Sequence, residues 1–200
     1  MVEAWLNRKS ADYLFLFGIA GFIIAVDQWT KWWVRTNLAS GETWAPWPWI
    51  EPYARFIHWH NTGAAFGMFQ GMNTVFMVLA IIVSGIIIYY FPQVPRADFY
   101  LRLPMAMQLG GALGNLIDRF RDGYVTDFVS LGTFAVFNVA DASISVGVAI
   151  LFLGLLWHDH QAKHQGPVEP DPVVESMPDA AGTAEEPGMP EPSTENSQEG

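Results

Sequence analysis

The chain has no cysteine and few bases, ten Lys plus Arg against twenty Asp plus Glu in 200 residues. Without cysteine there is no disulfide, no thiolate metal or iron–sulfur site and no cysteine nucleophile. The shortage of bases is uneven. Up to Trp157 ten acids face nine bases, whereas from His158 onward ten acids face one base, Lys163. The body is therefore close to neutral, and its composition gives no support for binding nucleic acid or another polyanion. Residues 165–200 also lack aromatics and any long apolar run. Such a segment cannot bury enough surface to offset the entropy of ordering, so residues 158–200 are read as an acidic, Pro/Glu-rich disordered tail.

Residues 1–157 are the reverse, rich in Trp and Phe and grouped into four apolar runs. Tyr13–Val34 spans 22 residues with only Asp27 and Lys31 charged, and Thr74–Phe91 is 18 residues without a charge. Leu103–Ile117 is polar only at Gln108 and Asn115, and Ala135–Trp157 holds one charge, Asp141. A helix needs about 17–25 apolar residues to cross a bilayer. Lipid leaves backbone groups no water to bond, which makes helices the natural answer. The expectation is an all-α membrane protein with four transmembrane helices, about 13–34, 74–91, 101–118 and 135–157.

Arg8 and Lys9 before an apolar core would also suit a cleaved leader. The run continues past Gly18–Ala20, however, and Trp29, Trp32 and Trp33 read as an interfacial belt, so the segment is taken as a retained span. Lysines and arginines divide equally between the two sides, so they do not orient the bundle. Residues 38–73 open on the Trp/Pro string WAPWPWIEP and continue into RFIHWHNTGAAFG, with β-like alternation. They are expected to form a small β-cradle lying on the membrane surface between helices 1 and 2.

Ionisable groups inside spans are expensive, about 2.5–3.5 kcal/mol at mid-membrane on insertion scales, so each needs a role. Asp27 and Lys31, at i and i+4, suit a scaffold pair. Asn115 stands three residues before Asp118 and four before Arg119, and Asn138 three before Asp141. Gly110 and Gly114 suit close helix packing. Asp127, read as a loop carboxylate, and Asp141, at a helix start, have no base at helical spacing. Alternating helix directions bring these groups toward one membrane surface. Two carboxylates in one low-dielectric site hold a proton near neutrality and suit acid–base work on an amide. A small proton- or ion-coupled transporter would use the same buried acids, although no internal repeat is visible. A non-catalytic assembly subunit, with acids that only pair helices, is a third possibility. There is no HExxH; His58-x-His60 reads as a surface pair and His158, His160 and His164 as a solvated cap, so no metal is expected.

Five strings occur in order: DQWTK (Asp27–Lys31), NTGAAFG (Asn61–Gly67), GALGNLIDR (Gly111–Arg119), GYVTDF (Gly123–Phe128) and FNVADAS (Phe137–Ser143). Together, over Tyr13–Trp157, they resemble lipoprotein signal peptidase, the type II signal peptidase of bacteria. The resemblance implies a four-helix aspartyl endopeptidase of the bacterial cytoplasmic membrane, with both termini cytoplasmic and its site extracytoplasmic. It also implies prolipoproteins carrying diacylglycerol on the lipobox cysteine as substrates and partners beside membrane lipid, a cut just before that cysteine, and no cofactor. By motif, Asp127 and Asp141 are the implied catalytic dyad, and Asn61, Asn115, Arg119 and Asn138 the implied substrate-binding positions. Asp27, Lys31, Gly63, Phe66 and Asp118 match supporting positions. Two departures stand out. Thr126 replaces the second valine of the family's VVDF, adding a hydroxyl that needs a partner, and the stretch from Asp127 to Asp141 is short, which bears on the shape of the lid.

Overall fold

A computed structural model describes residues 2–63 and 68–164, with side chains for 9–63 and 68–160. Phe66 and residues 165–200 lie outside the described residues, whereas residues 158–164, expected as the start of a disordered tail, are helical. Four helices dominate: α1 (Val2–Asn37), α2 (Asn73–Tyr90, ending in a 3₁₀ turn over Phe91–Gln93), α3 (Phe99–Asp122) and α4 (Val139–His164). Three strands complete the fold: β1 (Thr43–Trp44), β2 (Ala54–Asn61) and β3 (Val125–Leu131), an antiparallel sheet in the order β1-β2-β3.

Among the described residues, three segments are long and apolar enough to cross a membrane: Lys9–Asn37, Asn73–Gln93 and Val139–His160. Their outer faces agree with that reading. α2 buries only Ser84 and Ile87 and leaves Val78, Ile81, Ile82 and Ile86 exposed, which in water would be a liability and in lipid is ordinary solvation. α3 is not among the three. It carries Arg102, Gln108, Asn115, Asp118, Arg119, Arg121 and Asp122, and Pro104 besides. It is also the helix packed against all three others, so much of its polar surface meets protein.

The close packing of α3 rests on its small residues. A Cβ added at Gly110 would come within 2.9 Å of Ile23 Cβ on α1, and one at Gly111 within 2.5 Å of the Ala140 carbonyl on α4. On α1, Leu16, Ala20, Asp27, Lys31 and Val34 are all buried and recur at helical spacing, forming the seam that faces the bundle, and buried Leu38 just past the helix end extends it. Along that seam lie two apolar clusters. One holds Leu16, Ala20, Ile87, Phe91, Ala106 and Leu109; the other holds Val34, Leu38 and Phe128. A polar layer begun by Asp27 and Lys31 separates them. At the far end, Arg102 donates to Asp12 at 2.7 Å and to the Val94 carbonyl at 2.9 Å, with its guanidinium 4.4 Å from the Phe91 ring centre.

The sheet differs from the expected cradle in one respect. Its third strand comes from the α3–α4 connection, so Asp127 stands on a strand and not on a loop. Gly123, in the left-handed region at φ 80°, closes α3 and turns the chain into β3. The strand pairs Asn61 with Val125, His60 with Thr126 and Trp59 with Asp127, then shifts register before Phe56–Val129. Trp33, Trp44, Phe56 and Phe128 form a ladder of ring contacts 5.8–6.4 Å apart that seats the sheet on the end of α1. Helix boundaries differ too. α4 starts at Val139 and not at residue 135, because Phe137 bridges to Val129 in extended form, and it continues past Trp157 to His164.

Candidate active site

The polar layer is built outward from Lys31. Its ammonium is fully buried, 2.8 Å from Asp27 Oδ2 and 3.1 Å from Asp118 Oδ2, and it donates to Asn115 Oδ1 at 3.0 Å. Three protons meet three acceptors. Asp27 and Lys31 are thus more than a pair, since the same cation serves a second carboxylate on α3. Asp27 Oδ1 also accepts from the Ala140 N–H at 2.9 Å, one of the amides left open in the first turn of α4. Gln28 Nε2 donates to Asp118 Oδ1 at 2.9 Å, and Asp118 Oδ2 accepts from the Thr126 N–H at 3.1 Å. Asp118 is therefore held by Lys31, Gln28 and the Thr126 N–H, with Arg35 3.7 Å from its Oδ1.

Lys31 has no acceptor, so it fixes which way Asn115 faces. The Asn115 carbonyl must take the ammonium proton, which sends Nδ2 to Asp141 Oδ1 at 2.8 Å. Asn115 Oδ1 also accepts from Asn138 Nδ2 at 3.1 Å, and the second Asn138 Nδ2 proton goes to Asp127 Oδ1 at 2.7 Å. Asn138 Oδ1 then accepts from the Asp141 N–H at 2.9 Å, while Asp141 Oδ2 accepts from the Asn138 N–H at 3.2 Å. That reciprocal pair is a capping box at the start of α4, which is what the i, i+3 spacing of Asn138 and Asp141 encodes.

Asn61 completes the surroundings of Asp127. Its Oδ1 accepts from the Gly63 N–H at 2.9 Å, so Nδ2 is free to donate to Asp127 Oδ2 at 2.8 Å. Asp127 and Asp141 each receive two neutral N–H donors. Among the described residues neither makes an ion pair, unlike Asp27 and Asp118. Burial first, and the nearby charge of Asp141 second, push the Asp127 carboxyl up to about 7 against the pull of Asn61 and Asn138.

Both carboxylates line one cavity of about 420 Å³. Asn61, Gly63, Asn115 and Arg119 share its polar side, and Phe134, Val136, Ile144 and Val146 supply an apolar wall. Arg119 donates to the Gly63 carbonyl at 3.2 Å and lies 5.1 Å from the Phe76 ring centre. A second cavity of about 280 Å³ borders Asp127 from the His60 side. Six of the expected positions thus line the main cavity, Asn138 ties the two carboxylates together, and Asp27, Lys31 and Asp118 stand behind them. Arg35, Gln28 and Asn73, whose Nδ2 donates to the Arg119 carbonyl at 3.3 Å, were not anticipated. Arg35 lies one turn beyond Lys31, and that spacing alone would have placed it on the same face. Among the described residues no group of three or more His, Asp or Glu is placed to hold a metal ion.

Comparisons with known proteins converge on one family. A sequence profile described as Signal peptidase (SPase) II matches residues 19–157. A lipoprotein signal peptidase of Moorella thermoacetica is 42% identical over 138 residues, covering 69% of this chain and 90% of its own. One from Halalkalibacterium halodurans is 38% identical over 151 residues, covering 74% and 95%. A bacterial membrane enzyme solved in meso at 2.3 Å superposes with a TM-score of 0.69 at 30% identity, covering 77% of this chain and 94% of the other.

Proposed function

Since the chain belongs to the signal peptidase II family, a family of proteases, we propose that it removes signal peptides from diacylglyceryl-modified prolipoproteins with Asp127 and Asp141 as its catalytic pair. The observation that carries this reading is the contrast among the four aspartates of the polar layer, Asp27, Asp118, Asp127 and Asp141. Asp27 and Asp118 are consumed by Lys31, whereas Asp127 and Asp141 face a shared cavity with neutral donors alone.

The chemistry follows from one proton shared between two carboxyls. Asp127, with its raised affinity, holds it, which leaves Asp141 to serve as the base. Asp141 takes a proton from a water as that water's oxygen attacks the scissile carbonyl carbon. Asp127 gives its proton to the carbonyl oxygen, producing a neutral gem-diol. Asp141 then passes its proton to the leaving nitrogen, the C–N bond breaks, and Asp127 recovers a proton from the diol. The pair ends as it began. Acid–base assistance of this kind contributes about 10²–10⁴-fold. Arg119 and the side-chain amides of Asn61 and Asn115 border the space where a substrate backbone would lie, and the Phe134–Val146 wall suits an apolar signal segment or acyl chain. In this reading α3 is a fourth span, its polar side covered by the other helices. Both termini lie on the cytoplasmic side and the sheet outside.

The test is incubation of the purified protein, in nanodiscs, with one precursor peptide in lipidated and unlipidated forms. A single cut before the lipidated cysteine, absent from the unlipidated form, is expected. No cut, accompanied by proton flux through vesicles containing the protein, would replace the protease with a transporter.

A further inference from the structure

Asp127 sits on a strand whose ladder is irregular at that place. Regular pairing holds from Asn61–Val125 to Trp59–Asp127, and the register then shifts between Trp59 and Phe56. Such a shift weakens the constraint that the ladder puts on a side chain. Something besides the sheet must fix how far Asp127 reaches into the cavity.

The neighbouring residue supplies the fastening. Side chains alternate along a strand, so Thr126 points away from the cavity and into the bundle, where it is fully buried. Its N–H is held by Asp118 Oδ2 at 3.1 Å. Its hydroxyl accepts from Arg35 Nη1 at 3.0 Å. Arg35, in the last turn of α1, also lies 3.7 Å from Asp118 Oδ1 and 3.5 Å from Asp122 Oδ2. One guanidinium thus joins the end of α1, the end of α3 and the entry of β3.

We propose that Arg35 is a positioning residue that acts through the Thr126 hydroxyl, fastening the entry of β3 to the end of α1 and so setting the placement of Asp127. The proposal deepens the peptidase reading and rests on it. Arg35 touches neither carboxylate of the pair. Its effect is mechanical, and misplacement of about 1 Å at a reacting group costs on the order of 10²-fold in rate.

The experiment is a double-mutant cycle on cleavage of the lipidated precursor, with kcat and KM measured separately per folded enzyme below the unfolding midpoint. Thr126→Val, which keeps volume and removes the hydroxyl, is expected to lower kcat about 5–50-fold with KM within about twofold. Thr126→Ser, which keeps the hydroxyl, retains at least half of kcat. Arg35→Met lowers kcat similarly, and Arg35→Met/Thr126→Val loses no more than the worse single variant, because contacts acting as one unit do not add. Unchanged kcat in Thr126→Val, equal losses in Thr126→Val and Thr126→Ser, or additive losses in the double variant would each overturn the proposal. If Thr126→Val does not fold, Arg35→Met is held to the same kcat and KM criterion. Absence of cleavage by the unmodified chain would overturn the peptidase reading and this proposal with it; cleavage with no effect at position 126 would overturn this proposal alone.

Discussion

Lys31→Met removes a charge and keeps most of the side chain's volume, and its consequences can be worked out bond by bond. The ammonium lies between Asp27 and Asp118, 2.8 and 3.1 Å away, all three side chains being 1% exposed or less. Removing one partner of a buried ionic set leaves uncompensated charge, which costs about 3–5 kcal/mol. At about 1.4 kcal/mol per tenfold, that shifts the folding equilibrium by a factor of about a hundred to several thousand. The second consequence is functional. Asn115 loses one of the two donors to its Oδ1, leaving Asn138 Nδ2 alone to keep the Asn115 Nδ2 facing Asp141. Loss of cleavage should therefore exceed what the unfolded fraction explains. Unfolding in mixed micelles, followed by near-ultraviolet circular dichroism, measures the first effect; single-turnover cleavage of the folded fraction measures the second. Asp27→Asn combined with Lys31→Met should recover about 1–2 kcal/mol, since one of the stranded charges is gone. A loss below about 1 kcal/mol in Lys31→Met, or no recovery in the double variant, would refute the assignment of Lys31 as the keystone of the polar layer.

Four further outcomes follow from the polar network and the helix packing. Asp127 holds its proton up to about 7, so kcat/KM should fall along an alkaline limb with its midpoint there, measured at low substrate concentration. The same raised affinity makes the folded state lose stability as pH rises from about 4 to about 7, and Asp127→Asn should abolish that slope in a pH series of unfolding midpoints. Asn138→Ala removes the cap of α4 and a donor to Asp127 together; about 1–2 kcal/mol of stability should go, with a larger proportional fall in kcat than the fold loss explains. Gly111→Ala forces a Cβ against the Ala140 carbonyl, and about 1–3 kcal/mol of destabilisation, read from the thermal midpoint, is expected.

The helices were legible because a membrane span is written in length and apolarity, and Tyr13–Val34, Thr74–Phe91 and Ala135–Trp157 state both. The site was legible as motifs, and the two isolated acids, Asp127 and Asp141, stood apart from Asp27 and Asp118 by having no base nearby in sequence. What was not legible has physical causes. β3 hides because Val125, Thr126, Asp127 and Phe128 are all buried, so no alternation marks the strand. The start of α4 was set early because Ala135–Phe137 are apolar, and the Asn138–Asp141 spacing reads equally as a helix face or as a cap. The ties from Arg35 to Thr126 and from Arg102 to Asp12 join residues about ninety positions apart, a distance across which sequence spacing says nothing.

The pairing of Asp127 with Asp141 is tested most directly by cleavage of one lipidated precursor by Asp127→Asn and Asp141→Asn proteins whose unfolding midpoints show that they are folded. Each variant should lose at least about 10²–10⁴-fold in single-turnover rate, and the double variant no more than the worse single. Cleavage at the unmodified rate by either single variant would contradict a shared-proton mechanism.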